Sequence, residues 1–282
     1  MSTLLDGAGI ARDIRAQLAA RVARLPQPPC LAVLLAGDAA ASRIYVRNKI
    51  RACAEVGVAS ELVELPGTVS ESELQQHIEY LNAQERVHGI LVQLPLPAHI
   101  AAQNCIDLIA PAKDVDGLHT HNLGALFAGA PRVLPCTAAA VMELVRASGV
   151  DPRGRRAVVV GASNIVGKPA AMLLLQKGAT VTICNSKTVD LGAVTREADI
   201  LVTATGRPKL VTRTMVKSGA VVIDVGISRM ADGRLCGDVD FQGVAEVASR
   251  ITPVPGGVGP MTIAMLVANT VAAAEAALRP HC

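Results

Sequence analysis

The feature that most constrains this chain is an alternation. Short apolar runs bounded by Gly or Pro take turns with stretches of helical spacing along most of its 282 residues. The runs expected to be strands lie at 31–36, 61–65, 89–94, 157–160, 180–184, 200–204 and 221–225. Between them, Ser70 and Glu73 form a capping-box pattern ahead of Leu74, Ile78 and Leu81, which marks the start of a helix. Alternating strands and helices call for parallel sheets joined by right-handed crossovers, so the fold class is α/β. Composition agrees. Apolar residues are 51% of the chain but aromatics only 1%, with no Trp, so the core must be built from Ala, Val, Leu and Ile. That mixture suits parallel strands covered by helices on both faces.

Two such series appear, before and after a break at 131–137. The length fits about two domains. Asp151-Pro-Arg-Gly-Arg-Arg introduces the second series, and Thr252-Pro-Val-Pro-Gly-Gly-Val-Gly-Pro260 ends it, ahead of an Ala-rich helix over 261–278. Arg12, Arg15, Arg21 and Arg24 give the N-terminus some likeness to a transit peptide. Asp6 and Asp13 intrude, however, and Ile10, Ile14, Leu18, Val22 and Leu25 repeat at helical spacing, which reads as an ordinary first helix.

Several function classes are disfavoured. A net charge of +3 is too small to imply a polyanion, and the lack of aromatics argues against a stacking platform, so no nucleic-acid partner is expected. Seven cysteines lie scattered at 30, 53, 105, 136, 184, 236 and 282 without a CxxC pair. This argues against a zinc ribbon or a disulfide framework and fits a reducing cytoplasm. No apolar run approaches the ~20 residues of a membrane span, so no membrane partner is expected.

Ala157-Val-Val-Val-Gly161-Ala-Ser163-Asn-Ile-Val-Gly167-Lys-Pro169 reads as strand, tight turn and helix. Gly161 permits the turn, Gly167 a close helix–strand approach, and the N–H groups at the new helix start would face a phosphate. The spacing is not G-x-G-x-x-G, so the loop by itself is equally a structural βα turn; the later βα units favour a dinucleotide site. The next strand ends in Cys184-Asn185-Ser186-Lys187-Thr188, without the carboxylate that commonly binds ribose hydroxyls in NAD enzymes. A hydroxyl and a lysine stand there instead, which favours NADP over NAD.

Tyr45 and Lys49 are four apart and share one helix face. Such a pair could hold a flat ring against a proton-transfer group. An apolar wall or neighbouring cations would let the lysine serve as a general base. Spacing alone favours the plainer reading, a surface lysine beside a half-buried tyrosine. Gln93 ends an apolar strand in Leu91-Val-Gln-Leu-Pro-Leu-Pro97, where open α/β sheets place ligands, and a solvent-facing amide is equally open. Lys113-Asp114-Val-Asp116-Gly117 looks faintly like a calcium loop, but Ala125 stands where the closing Glu would be. A carboxylate there could accept two N–H bonds from an aminopyrimidine edge; a turn with Asx caps is the competing reading. His119 and His121 lack a third ligand, so no metal is expected. The loop 253–260 is rigid and poor in side chains, as either a hinge or a backbone approached closely by a ligand would be. Cys136 has no base partner in view and no G-x-S-x-G elbow occurs, so acyl chemistry has no support.

Taken together, these segments resemble the bifunctional methylenetetrahydrofolate dehydrogenase/methenyltetrahydrofolate cyclohydrolase family. The motifs carrying the resemblance are Ser42-Arg-Ile-Tyr45-Val-Arg-Asn-Lys49, Val92-Gln-Leu-Pro-Leu-Pro97, Lys113-Asp-Val-Asp116-Gly117 and Pro135-Cys-Thr137. The glycine loop 161–169, Gly237-Asp-Val-Asp-Phe241 and Thr252-Pro-Val-Pro-Gly-Gly-Val-Gly-Pro-Met-Thr262 complete the set, in family order from Asp6-Gly7 to the last helix. The resemblance implies two α/β domains with a cleft between them. A folate-binding catalytic domain would span 1–136, completed by the C-terminal helix 261–282, and a Rossmann-like, doubly wound NADP-binding domain would span 137–260. It also implies tetrahydrofolate substrates in one-carbon metabolism and a homodimer joined through the Rossmann-like domain. Carried over residue by residue, Lys49 is the general acid/base of the cyclohydrolase step, Tyr45 stacks on the folate, Gln93 hydrogen-bonds Lys49 and Asp116 holds the pterin edge. Pro255 and Gly256 line the folate site. Gly161, Ala162, Ser163, Ser186 and Ile227 fall at cofactor positions, with Thr137 nearby. Three departures stand out. Ala162 replaces an Arg that contacts the 2′-phosphate in some members, Ala138 replaces a Pro, and Asn185 replaces a His. The first and third bear on the choice of NADP. The rival readings are an NADP-dependent dehydrogenase of another small substrate and a nucleotide-binding regulator without chemistry.

Overall fold

A computed structural model describes residues 2–230 and 232–279. In chain order the elements begin β1 (Thr3–Leu4), α1 (Gly7–Val22), β2 (Cys30–Ala36), α2 (Ala40–Glu55), β3 (Ala59–Leu65), α3 (Glu71–Ala83) and β4 (Gly89–Val92). There follow α4 (Ala102–Ile106), α5 (Thr120–Phe127), α6 (Cys136–Ala147), β5 (Arg156–Val160), α7 (Gly167–Gln176), β6 (Thr180–Cys184), α8 (Leu191–Thr195) and β7 (Ile200–Thr203). The last are β8 (Val221–Asp224), β9 (Ser228–Arg229), β10 (Leu235–Cys236), α9 (Phe241–Ala245), β11 (Arg250–Ile251) and α10 (Val258–Ala277). All seven runs read from the sequence are strands, within two residues at each end. The two-residue strands β1, β9, β10 and β11 are too short to leave a periodic signal.

The chain divides into two compact units. Arg12–Cys136 and Ile263–Cys282 form one, here called the lysine unit; Met1–Ala11 and Thr137–Thr262 form the other, the glycine-turn unit. The sequence reading gave 1–136 to a single domain. Within the fold, the segment around β1 packs with the glycine-turn unit, because β1 pairs with β11, Thr3 against Arg250 and Leu4 against Ile251.

The lysine unit holds a three-stranded parallel sheet in the order β3-β2-β4. The central strand β2 is buried along its whole length. Leu31, Val33 and Leu35 pack into one core with Leu18, Val46, Leu266, Val267 and Val271, while Ala32 and Leu34 pack into another with Leu74, Ile78 and Leu81. Burial on both faces is why β2 reads as an unbroken apolar run rather than an alternating one. On α3 the capping box is complete: the Ser70 hydroxyl accepts from the Glu73 N–H at 3.2 Å, and the Glu73 carboxylate accepts from the Ser70 N–H at 2.9 Å.

The glycine-turn unit holds a six-stranded parallel sheet in the order β1-β11-β8-β7-β5-β6. Its core includes Val158, Val160, Leu201, Val222, Val239 and Ile251. From β5 the chain passes to β6 on one side and then to β7 on the other, so β5 is the point where the winding reverses. β2 holds the same place between β3 and β4. Ligands of open α/β sheets bind beyond the carboxyl ends of strands at such reversals.

One expectation needs correction. Over twenty residues α10 is, by length and composition, apolar enough to cross a membrane. Thr262, Asn269, Thr270 and Glu275 are interspersed along it, so no unbroken apolar run marks it in the sequence. In the fold, Leu266, Val267 and Val271 of this helix lie in the core of the lysine unit, as expected of a core helix.

Candidate functional site

In the lysine unit, the helix that follows β2 carries Tyr45 and Lys49 one turn apart, and Gln93 follows the end of β4 directly. The Gln93 N–H donates to the Leu34 carbonyl at 2.9 Å, so this residue continues the ladder beside β2. Its side chain is buried. Its Nε2 donates to the Leu94 carbonyl at 2.6 Å, which fixes the amide's orientation and turns Oε1 toward Lys49. The Lys49 ammonium donates to that Oε1 at 3.0 Å. Lys49 is half-buried and Tyr45 keeps 38% of its surface exposed. The lysine is therefore tied to a neutral acceptor rather than locked in an ion pair, beside a ring free to stack.

The segment 113–117 divides its side chains between structure and site. Lys113 donates to the Asn82 and Gln84 carbonyls at 2.8 Å each, capping the end of α3. Asp114 is buried and spends its carboxylate on the Gly117 N–H at 3.0 Å, the His119 N–H at 2.8 Å and the Asn122 amide at 2.8 Å. Asp116 takes no part in these bonds, and its carboxyl meets the Cys136 thiol instead. Loss of solvation pushes its carboxyl above the ordinary range, while the nearby Lys49 ammonium pulls it down, Asp114 pushes it up and Cys136 pulls it down. Lys49, Gln93 and Asp116, distant in sequence, are thus brought into one neighbourhood. His119 serves as the N-cap of α5, its ring accepting from the His121 N–H at 2.8 Å. Cys136 is fully buried and its thiol is held well above its ordinary pKa, first by burial and then by Asp116. It donates to the Val115 carbonyl at 3.2 Å, which makes it a structural donor rather than a nucleophile.

In the glycine-turn unit, Gly161 follows β5 at φ +121°, and a Cβ there would meet the Ala204 carbonyl oxygen at 2.2 Å. A Cβ on Gly167 would meet the Gly161 carbonyl oxygen at 1.9 Å. Only glycine fits at either position. The Ser163 hydroxyl accepts from the Val166 N–H at 3.2 Å, ordering the approach to α7, and Ala162 adds no bulk. At the end of β6, Asn185 and Thr188 close the turn on themselves: Asn185 accepts from the Lys187 N–H at 2.8 Å, and Thr188 accepts from the Asn185 N–H at 2.9 Å. Ser186 and Lys187 stay exposed. The cradle and this acid-free strand end fit a phosphorylated dinucleotide. Ile227, 47% exposed, follows β8, and half-buried Thr137 lies in the first turn of α6.

Pro255 is exposed and Gly256 sits at φ +107°. The neighbouring glycines have a packing role: a Cβ on Gly7 would strike the Gly257 carbonyl oxygen at 1.9 Å. The sequence reading left the acids of this unit without a role. Asp224, buried at the end of β8, accepts from Thr203, Gly226, Asp238 and Val239. Burial pushes its carboxyl up to about 6. Asp238, also buried, accepts from the Thr205 and Gly206 N–H groups. Together they tie down the loops after β7 and β8.

Comparison with known proteins agrees on every length scale. Residues 5–116 match the family model for the tetrahydrofolate dehydrogenase/cyclohydrolase catalytic domain, and residues 135–278 match that for its NAD(P)-binding domain. The chain is 58% identical over 280 residues to the bifunctional protein FolD of Polynucleobacter asymbioticus, covering 98% of this chain and 99% of that one. It superposes with a TM-score of 0.97 on the FolD methylenetetrahydrofolate dehydrogenase/cyclohydrolase from Campylobacter jejuni, at 47% identity over 99% of this chain and 100% of that one. The Trypanosoma brucei enzyme complexed with NADP cofactor and inhibitor gives 0.94 at 41% identity, covering 99% of each chain. The chain belongs to the tetrahydrofolate dehydrogenase/cyclohydrolase family.

Proposed function

We propose that this protein oxidises 5,10-methylenetetrahydrofolate to 5,10-methenyltetrahydrofolate with NADP and hydrolyses the product to 10-formyltetrahydrofolate. The observation that carries the reading is the Lys49 ammonium held at 3.0 Å by a Gln93 amide whose orientation is fixed, next to Asp116. Hydrolysis needs a proton removed from the water that attacks the methenyl carbon and a proton delivered to N5 as the N5–C bond breaks. Lys49 performs both transfers as general acid/base, and Gln93 keeps its nitrogen aimed without an opposing charge to trap the proton. Asp116 accepts from the pterin edge and Tyr45 stacks on the ring. The family resemblance gives Pro255 and Gly256 the role of folate contacts. Gly161, Ala162, Ser163, Ser186 and Ile227, with Thr137 nearby, would hold NADP, and the exposed Ser186 and Lys187 suit its 2′-phosphate. Bound there, the nicotinamide supplies the hydride acceptor for the oxidation.

We also infer a cytoplasmic homodimer joined through the glycine-turn unit. The cysteines at 30, 53, 105, 136, 184 and 236 are free thiols, as a reducing compartment requires. The edge strand β6 leaves Ile183 38% exposed and Val189 beyond it 89% exposed. Absorbance of the methenyl compound, followed with and without NADP, tests the activity. The expected result is NADP reduction that depends on methylenetetrahydrofolate, together with accelerated loss of methenyl absorbance without NADP. Reduction on another substrate with no hydrolysis would identify a different dehydrogenase; nucleotide binding with neither activity would identify a regulator.

A further inference from the structure

Asn269 stands in the middle of α10, an apolar helix where asparagine carries a poor helix propensity and a side-chain amide that must find partners. Its Nδ2 donates to the Val115 carbonyl at 2.9 Å and the Leu134 carbonyl at 2.9 Å, and lies 3.5 Å from the Cys136 sulfur. The Val115 carbonyl also accepts from the Cys136 thiol at 3.2 Å, and the Asp116 carbonyl accepts from the Cys136 N–H at 3.2 Å. The two peptide planes flanking the Asp116 Cα are therefore both held, the first by Asn269 and Cys136, the second by Cys136. Fixing both planes fixes φ and ψ of Asp116 and with them the direction of its Cα–Cβ bond, from which the carboxylate is swung. Just beyond, Gly117 sits at φ +75°, where a Cβ would meet the Pro135 nitrogen at 2.6 Å, so the turn packs against 134–135 too closely for any side chain.

We propose that Asn269, acting with Cys136, is a positioning residue for Asp116: the C-terminal helix sets the angle at which that carboxylate meets the pterin. This rests on the reading of Asp116 given above. The clamp joins three segments far apart in sequence, and all of them lie in the lysine unit.

The test is a thermodynamic cycle on the full-length enzyme. Asn269→Leu removes the donor at similar size. It is expected to raise the KM for 5,10-methenyltetrahydrofolate ~10-fold, the scale of a misaimed binding group, while KM for NADP and kcat change by less than about two-fold. In an Asp116→Ala background the same substitution is expected to add less than about two-fold, because the group it aims has gone. A second pair guards against misfolding. Cys136→Ala removes the thiol donor and should raise the folate KM, whereas Cys136→Ser keeps a donor to the Val115 carbonyl and should restore it. A wild-type folate KM in Asn269→Leu, an equal loss in both backgrounds, or equal behaviour of the Ala and Ser variants overturns the clamp. Unaltered folate KM in Asp116→Ala itself overturns the pterin reading and the clamp with it.

Discussion

In the lysine unit the chain leaves β2 for β3 on one side and returns to β4 on the other; in the glycine-turn unit it leaves β5 for β6 on one side and returns to β7 on the other. Both units therefore carry a winding reversal, where parallel sheets offer a ligand crevice. They furnish it with opposite materials. Around β2 the candidate groups are side chains: the Lys49 ammonium, the Gln93 amide, the Asp116 carboxyl. Around β5 the decisive feature is missing side chains, at Gly161 and Gly167, with buried Asp224 and Asp238 anchoring the loops. Proton transfer needs a titratable group at one atom, whereas a pyrophosphate needs backbone N–H groups at close range. One unit is thus vulnerable to deletion of atoms, the other to their addition.

That contrast can be broken. Lys49→Met should lower methenyl hydrolysis by ~10²-fold with smaller loss of the NADP-linked oxidation, because hydride departure needs no protein base. Measuring both activities in one preparation decides it, and unchanged hydrolysis would remove Lys49 from the chemistry. Gly161→Ala adds one carbon yet should cost about 3 kcal/mol of stability, since the position combines φ +121° with a Cβ 2.2 Å from the Ala204 oxygen. Urea midpoints and NADP affinity should both fall; a tolerant protein would show that the turn is looser than its geometry.

Asp224 offers a sharper probe. Its carboxyl lies at about 6 in the fold against an ordinary 3.8, so the folded chain holds this proton more tightly than the unfolded one. The associated stability is fully present below pH ~3.8 and is lost as pH rises through about 6. Between pH 4 and 6, wild type should lose up to about 3 kcal/mol relative to Asp224→Asn, by the per-unit cost of a shifted pKa. A stability difference flat across that window would place Asp224 among ordinary carboxylates. At the small end, Ser70→Ala should cost about 1 kcal/mol by breaking the α3 capping box, leaving both activities intact. Altered turnover there would mean that α3 reaches the site.

Legibility followed sequence distance. Tyr45 and Lys49 lie one turn apart, the capping box spans four residues and the glycine turn nine, so each left a local pattern. The competition between Asp114 and Asp116 could not be resolved that way: their types are identical, and only the fold shows the first spent on Gly117, His119 and Asn122. Spacing favoured a surface role for Lys49, because its partner stands forty-four residues away. Asn269 did carry a signal, a polar amide amid apolar helix, but one that names no partner.

The order of residues by itself determined the α/β class, seven of the strands, the glycine turn and the family, because these rest on periodicity and on steric rules that act over a few residues. Tertiary structure alone decided that the first residues complete the second unit's sheet, that Asp224 and Asp238 anchor its loops, and that Asn269 grips the turn before α6. Each of those depends on hydrogen bonds between segments far apart in the chain, and nothing local records a partner that only folding brings near.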